Sequence, residues 1–265
     1  MKNSKDKIII YLFIAALLLV YSLKVDAQQI EFGLRYNPEL TGLINSNDYN
    51  AGNELGLKSH FGYLSGGIGA VYNINNHIGL AVDLLFSREG QAFQGHFNGN
   101  PPNAATYSSV VSTQLILDNT VIVGDYVALA ELNYIKLPIM LSLTSDNTKP
   151  LFFTLLVGPQ FNFLQGVAQE INGEDHFYPN SNIEPKDLYK SLTINGVLAL
   201  GGAYNITSSL VLSARLRLDY GFDDVEKKDL MVSYPNAAPV RFYSTERQAT
   251  HNLTVGLLLG LDFKL

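Results

Sequence analysis

Residues Leu253 to Leu265 alternate between two chemistries almost without interruption. Leu253, Val255, Leu257, Leu259, Leu261, Phe263 and Leu265 share one parity; Asn252, Thr254, Gly256, Gly260, Asp262 and Lys264 share the other. Successive side chains of an extended chain point to opposite faces, so this segment has one wholly apolar face and one small or charged face. Such a strand separates two different solvents. The pattern recurs along the chain behind an export-like N-terminus. Together they predict an all-β fold: an eight-stranded antiparallel transmembrane barrel, with lipid outside and a polar lumen within.

The N-terminus reads as a targeting segment. Lys2, Lys5 and Lys7 precede an apolar run from Ile8 to Tyr21, and Val25-Asp26-Ala27 offers a small-residue cleavage site. The run is shorter than the 18 or so residues of a spanning helix, which argues against a permanent anchor. The expected organisation is a signal peptide over residues 1–27 and an outer-membrane barrel over 28–265. The chain has no cysteine, so disulfides, thiolate metal sites and a lipidated cysteine are excluded. A net charge of −6 without any basic block disfavours nucleic acid as a partner.

Eight strands are expected: Gln29–Glu39, Phe61–Asn73, Ile78–Ser87, parts of Val127–Leu143, Leu151–Leu164 and Ser191–Tyr204, then Leu210–Phe222 and Gln248–Leu265. Asn73–His77, Thr144–Pro150 and Asn205–Ser209 are short and rich in turn formers. Between them lie the long stretches Thr41–His60, Glu89–Tyr126, Gln165–Lys190 and Asp223–Arg247. Short and long alternate strictly, as short periplasmic turns and long extracellular loops do in outer-membrane barrels. Within the long stretches, Gln91–Thr106 reads as an irregular tip. Tyr107–Leu117 and Thr120–Ala128 read as a hairpin extending strands three and four. Ten residues of strand seven, tilted by about 40°, cross about 25 Å, the height of a lipid-facing band. Phe86, Tyr134, Phe161 and Tyr220 are expected to girdle the long-loop end, and Tyr72, Tyr204 and Phe263 the turn end. Tyr72-Asn73-Ile74 with Ile78 and Leu80 is echoed by Tyr204-Asn205-Ile206 with Leu210 and Leu212, either by ancestry or by shared hairpin needs.

Pro138 and Pro159 interrupt strands four and five, although a closed barrel has no free edge to host them. A parity slip between Tyr134 and Ile135 points to a β-bulge that would accommodate both. These same residues carry a resemblance. Leu132-Asn133-Tyr134-Ile135-Lys136-Leu137-Pro138-Ile139-Met140-Leu141, followed by Gly158-Pro159, resembles the central hairpin of the PorT-like outer-membrane β-barrel family of Bacteroidota. That resemblance implies an eight-stranded outer-membrane barrel and assigns no catalytic residue.

Inward parity collects Glu31, Arg35, Asp83, Lys136, Arg215, Arg217, Asp219, Asp262 and Lys264. An eight-stranded barrel is only wide enough for side chains to fill, so these charges are expected to pair across a plugged lumen rather than line a pore. Arg215 and Arg217 are expected to meet Asp83, Asp219 or Glu31. His60, His77, His96, His176 and His251 show no metal-ligand spacing, and the acidic runs Glu174-Asp175 and 223–229 lack a calcium-loop pattern. No catalytic, metal or cofactor-binding residue is assigned, and no cofactor is expected.

The expected role is non-enzymatic: a barrel that contacts outer-membrane lipid and lipopolysaccharide and whose loops engage ligands or other envelope proteins. A narrow channel or a transport or secretion accessory is the alternative. An outer-membrane lipid hydrolase using the rim residue His251 ranks third. A soluble eight-stranded barrel would need the opposite polarity, apolar side chains inward. N-terminal sequencing of the protein from outer membranes should begin at Gln28; a start at Met1 would show that the leader is retained.

Overall fold

The computed structural model describes residues 29–46, 55–62, 64–98, 123–171, 174–175, 184–227, 230–232, 240–242 and 248–265. The strands are β1 (Gln29–Tyr36), β2 (Glu39–Ile44), β3 (Leu55–Gly62), β4 (Gly66–Asn73), β5 (Ile78–Asn98), β6 (Val123–Thr144), β7 (Leu151–Ile171), β8 (Glu174–Asp175), β9 (Leu192–Asn205), β10 (Leu210–Gly221), β11 (Leu230–Val232), β12 (Val240–Phe242) and β13 (His251–Lys264). The antiparallel ladders run β1-β4-β5-β6-β7-β9-β10-β13, and pairing of β13 with β1 closes the ring at eight positions. β2 continues β1 upward against β13, and β3 precedes β4 against β5.

Polarity is inverted relative to a soluble protein. Leu34, Leu200, Phe153 and Leu216 point outward, the last two 67% and 65% exposed, whereas Arg217 and Asp219 are fully buried. Along β10, buried and exposed residues alternate from Val211 to Gly221. β13 keeps the same alternation, and Leu258 turns into the lumen on the polar parity. Only closure of the ladder makes this tolerable in lipid, because every strand then finds its hydrogen bonds sideways.

The three short turns sit at one end. Ile74 N–H donates to Ile78 O at 2.9 Å and Asn75 N–H to the same oxygen at 3.1 Å. Ile206 and Thr207 N–H repeat this geometry on Leu210 O at 2.8 and 3.3 Å, so the two similar sequence stretches build the same turn on opposite sides of the ring. In the third turn the N–H and hydroxyl of Thr148 donate to Asp146 Oδ1 at 3.0 and 2.6 Å. These bonds, the hydroxyl's first, hold the Asp146 carboxyl below the usual carboxylate range.

Several expectations need correction. β5, β6 and β7 have 21, 22 and 21 residues against 12 for β10, so strand replaces much of the expected loop. Gln91–Asn98 is strand rather than an irregular tip, paired through Asn98 with Val123. Val123–Ala128 pairs with Phe93–Asn98 rather than with the expected arm Tyr107–Leu117, which lies outside the described residues. β2 and β3 likewise occupy both ends of the expected Thr41–His60 loop. Tyr134 is not a girdle residue: it is fully buried in the lumen.

The prolines are hosted by gaps in the ladder, not by the bulge. β6 holds its parity throughout, with Tyr134, Lys136, Pro138 and Met140 all turned inward. Its pairing to β5 runs through Ile139 and resumes at Lys136, skipping Pro138; its pairing to β7 skips the level of Pro159. A proline has no N–H to give, so the missing bonds cost nothing further. The register shift lies on β7 instead, where Asn133 faces Gly166 and Tyr134 faces Leu164, leaving Gln165 as the extra residue. Parity on β7 flips there, from buried Leu164 to buried Gln169.

Leu216 sits midway along β10 on the lipid side. Leu216→Arg should lower unfolding stability in lipid by about 2–4 kcal/mol, while Phe263→Arg at the turn-end rim should cost only about 0–1 kcal/mol, measured by urea titration of vesicle-inserted protein.

Candidate functional site

The strand parity that sends leucines to lipid sends charge to the lumen, where two polar clusters form. In the first, Arg35 from β1 reaches across to β5 and β13. Its Nε donates to Asp83 Oδ1 at 3.1 Å and its Nη1 to Asp262 Oδ1 at 2.6 Å. A Cβ on Gly69 would lie 2.0 Å from Asp83 Oδ1 and 2.7 Å from Arg35 Nε, and one on Gly260 would lie 3.2 Å from Arg35 Nη1. Gly69 of β4 therefore has a spatial cause: the guanidinium and its carboxylate occupy the room that a side chain would need. Arg215 does not join this pairing. Its Nε donates to Thr154 Oγ1 at 2.7 Å and its Nη1 to Ser213 Oγ at 2.9 Å.

The second cluster surrounds the fully buried Lys136 of β6. Its Nζ lies 3.5 Å from both Glu39 Oε2 and Asp219 Oδ2 and pairs closely with Glu89. Arg217 Nε donates to Asp219 Oδ1 at 2.8 Å, and Arg217 Nη2 reaches Gln160. Glu39 accepts further bonds from Ser65 Oγ at 2.6 Å, Asn37 Nδ2 at 2.6 Å and Ser87. Glu89 accepts from Asn252 and from Thr254 Oγ1 at 3.4 Å. Three carboxylates thus meet two cations in a space without water access, and hydroxyls and amides occupy the remaining lone pairs.

Glu39 and Glu89 were not assigned to the lumen from sequence. Glu39 closes the expected first strand and Glu89 opens an expected loop, so only continued alternation beyond Ser87 would have signalled the latter. Glu31 is buried and accepts from Asn73 Nδ2 at 3.0 Å. Lys264 sits at the turn-end rim instead of the lumen interior, half-buried, donating to Asn205 Oδ1 at 2.9 Å. An apolar cluster of Val71, Ala81, Met140, Leu156, Val197, Ala199 and Leu258 fills further lumen space.

A cap lies toward the long-loop end. A short 3-10 turn over Pro185–Leu188 leads to Tyr189, which bridges to Glu226. Lys190 N–H donates to Val225 O at 2.9 Å, Lys227 N–H to Leu188 O at 2.8 Å and Val225 N–H to Thr250 O at 2.9 Å. Leu188, Tyr189, Val225 and Glu226 are all buried. On the outer wall, Glu131 meets His60 at 3.6 Å and Arg88 at 3.7 Å. His251 lies half-buried with Nδ1 3.0 Å from Gly221 O, its ring stacked on Tyr220 at 5.9 Å. Its surroundings are those of an interfacial side chain.

The model of the outer membrane protein beta-barrel domain family matches residues 26–227. The attachment invasion locus protein Ail of Yersinia pestis is 8% identical, with 90% of this chain and 99% of that chain covered at a TM-score of 0.41. A major outer membrane protein from Thermus thermophilus is 12% identical, covering 89% and 99%, at 0.45. The outer membrane protease OmpT from Escherichia coli is 8% identical, covering 91% and 97%, at 0.43. No curated protein matches the sequence.

Replacing Lys136 by Met would leave Glu39, Glu89 and Asp219 buried with Arg217 as their one remaining cation in the cluster. Unfolding in urea should then show a loss of about 3–5 kcal/mol. Lys264→Met at the rim should change stability by less than about 1 kcal/mol.

Proposed function

The chain belongs to the outer membrane protein beta-barrel domain family, and we propose that it is a non-enzymatic member whose raised strands bind partners above the outer membrane. The observation that carries this reading is the unequal height of the wall. β5, β6 and β7 outrun β10 by enough residues to stand roughly 20–25 Å above the lipid band. A sheet raised that far into water is a platform, and building it is unnecessary for anchoring alone. The same feature supports an accessory role within an envelope complex. The β6 strand Asn133-Tyr134-Ile135-Lys136-Leu137-Pro138 and the Gly158-Pro159 pair support placing the chain in the PorT-like branch.

The lumen favours this over transport. Lys136, Arg217 and Tyr134 are among the largest fully buried side chains, and Arg35 ties three strands together across the interior. Moving an ion through would require separating buried pairs, each of which is costly to break. His251, the rim residue of the lipid-hydrolase reading, is committed to Gly221 O and Tyr220.

Purified protein in planar bilayers should show no steady open state, and steady single-channel conductance would replace the platform with a channel. Affinity capture from detergent-solubilised outer membranes should retain envelope partners with the full chain. Shortening the β5–β6 hairpin above Gln91 and Ala130 should abolish that retention while the heat-resistant folded band on gels persists. Hydrolysis of lipid A by the purified protein would restore the enzyme reading.

A further inference from the structure

β1 and β2 are separated by Asn37-Pro38, and Asn37 N–H donates to Ser65 O at 2.8 Å, just where β3 and β4 are also interrupted. Both barrel strands therefore break at one height. Above the break they part. β2 pairs with β3 only from Glu39 to Thr41, whereas β2 stays on β13 up to Ile44 and β3 follows β5 up to Leu55. Here the ladder splits beside Leu253 and Val255, which are level with Tyr220 and Leu218 of β10.

The split holds a cavity of about 820 Å³ whose lining includes Leu40, Gly42, Ile44, Leu253, Val255 and Gln91. Leu40, Ile44 and Val255 are among the exposed, outward-facing residues, so the cavity opens on the lipid side. Gln91 crosses the gap from β5: its Oε1 accepts the Leu43 N–H at 3.0 Å, and its Nε2 donates to Ala92 O at 3.0 Å. It supplies to β2 a bond that the departed β3 would otherwise provide. This keeps a backbone donor satisfied where water is scarce. Gly42 carries no side chain at this point; a Cβ there would come 3.2 Å from Gln91 Oε1.

We propose that this split is a binding site for one acyl chain of an outer-leaflet lipid. The cavity is continuous with the lipid-facing band and lies toward its long-loop, extracellular end, so hydrocarbon is the medium that meets it. Its volume falls in the range of small-molecule sites, and its lining joins apolar side chains to the amides of Asn45 and Gln91 and the hydroxyls of Thr41, Ser46 and Ser59, which suits a chain seated beneath a polar linkage. The site is independent of the raised platform and needs no partner protein.

The test uses full-length protein in phosphatidylethanolamine vesicles doped with a phosphatidylethanolamine bearing a diazirine on one acyl chain. After irradiation, label mapped by mass spectrometry should be several-fold denser on Leu40, Ile44, Leu253 and Val255 than on Leu216 and Leu257, which are also open to lipid. Gly42→Leu and Val255→Trp, which fill the cavity from different strands, should each bring this label down to the level on Leu216. Two variants guard against one failing to insert, and the Leu216 label reports insertion in both. Uniform labelling of all outward leucines, or enrichment that survives both fillings, would overturn the proposal.

Discussion

Closure of the backbone ladder is the constraint on which the rest of this structure depends. Hydrocarbon offers nothing to an open N–H or C=O, so a sheet in lipid must end where it begins, and β13 pairing with β1 meets that requirement. Once the ring is closed, the side chains can be distributed in only one way. Those of one parity face lipid and must be apolar; those of the other face a narrow interior and must satisfy one another. The exposed leucines and the buried Arg217 are two consequences of the same closure.

The lumen then becomes a problem of electrostatics in a confined space. Arg35 serves two carboxylates from two strands, and Lys136 serves three, so each cation ties together several strands of the wall. Such pairs contribute little net stability relative to an apolar filling, but breaking one is expensive. Their effect is to hold one arrangement of the eight strands. The glycines facing Arg35 belong to this arrangement, because they clear the room its guanidinium occupies.

Departures from a regular ladder occur at the prolines. Pro38, Pro138 and Pro159 each remove a donor. The ladder responds differently at each: a break with a change of partner at Pro38, and skipped rungs at the other two. The break at Pro38 has the largest consequence, since it frees β3 to follow the tall β5 and opens the wall beside β2. The split beside β2 is the outcome of that interruption.

Much of this was legible in the residues alone. Period-two alternation identified the eight wall positions, and the alternating short and long connections ordered them, because a strand between lipid and lumen must obey that parity. The same parity placed Arg35, Asp83, Arg217 and Asp219 inside. Sequence could not say where strands end, since above the lipid band no second solvent enforces alternation, and Gln91–Asn98 carries no apolar outward face to mark it as strand. Nor could it choose partners. Arg215 settling on Thr154 and Ser213, Tyr134 turning inward and the extra residue falling at Gln165 all depend on register between strands. Register is a property of pairs, and only the closed ring decides it.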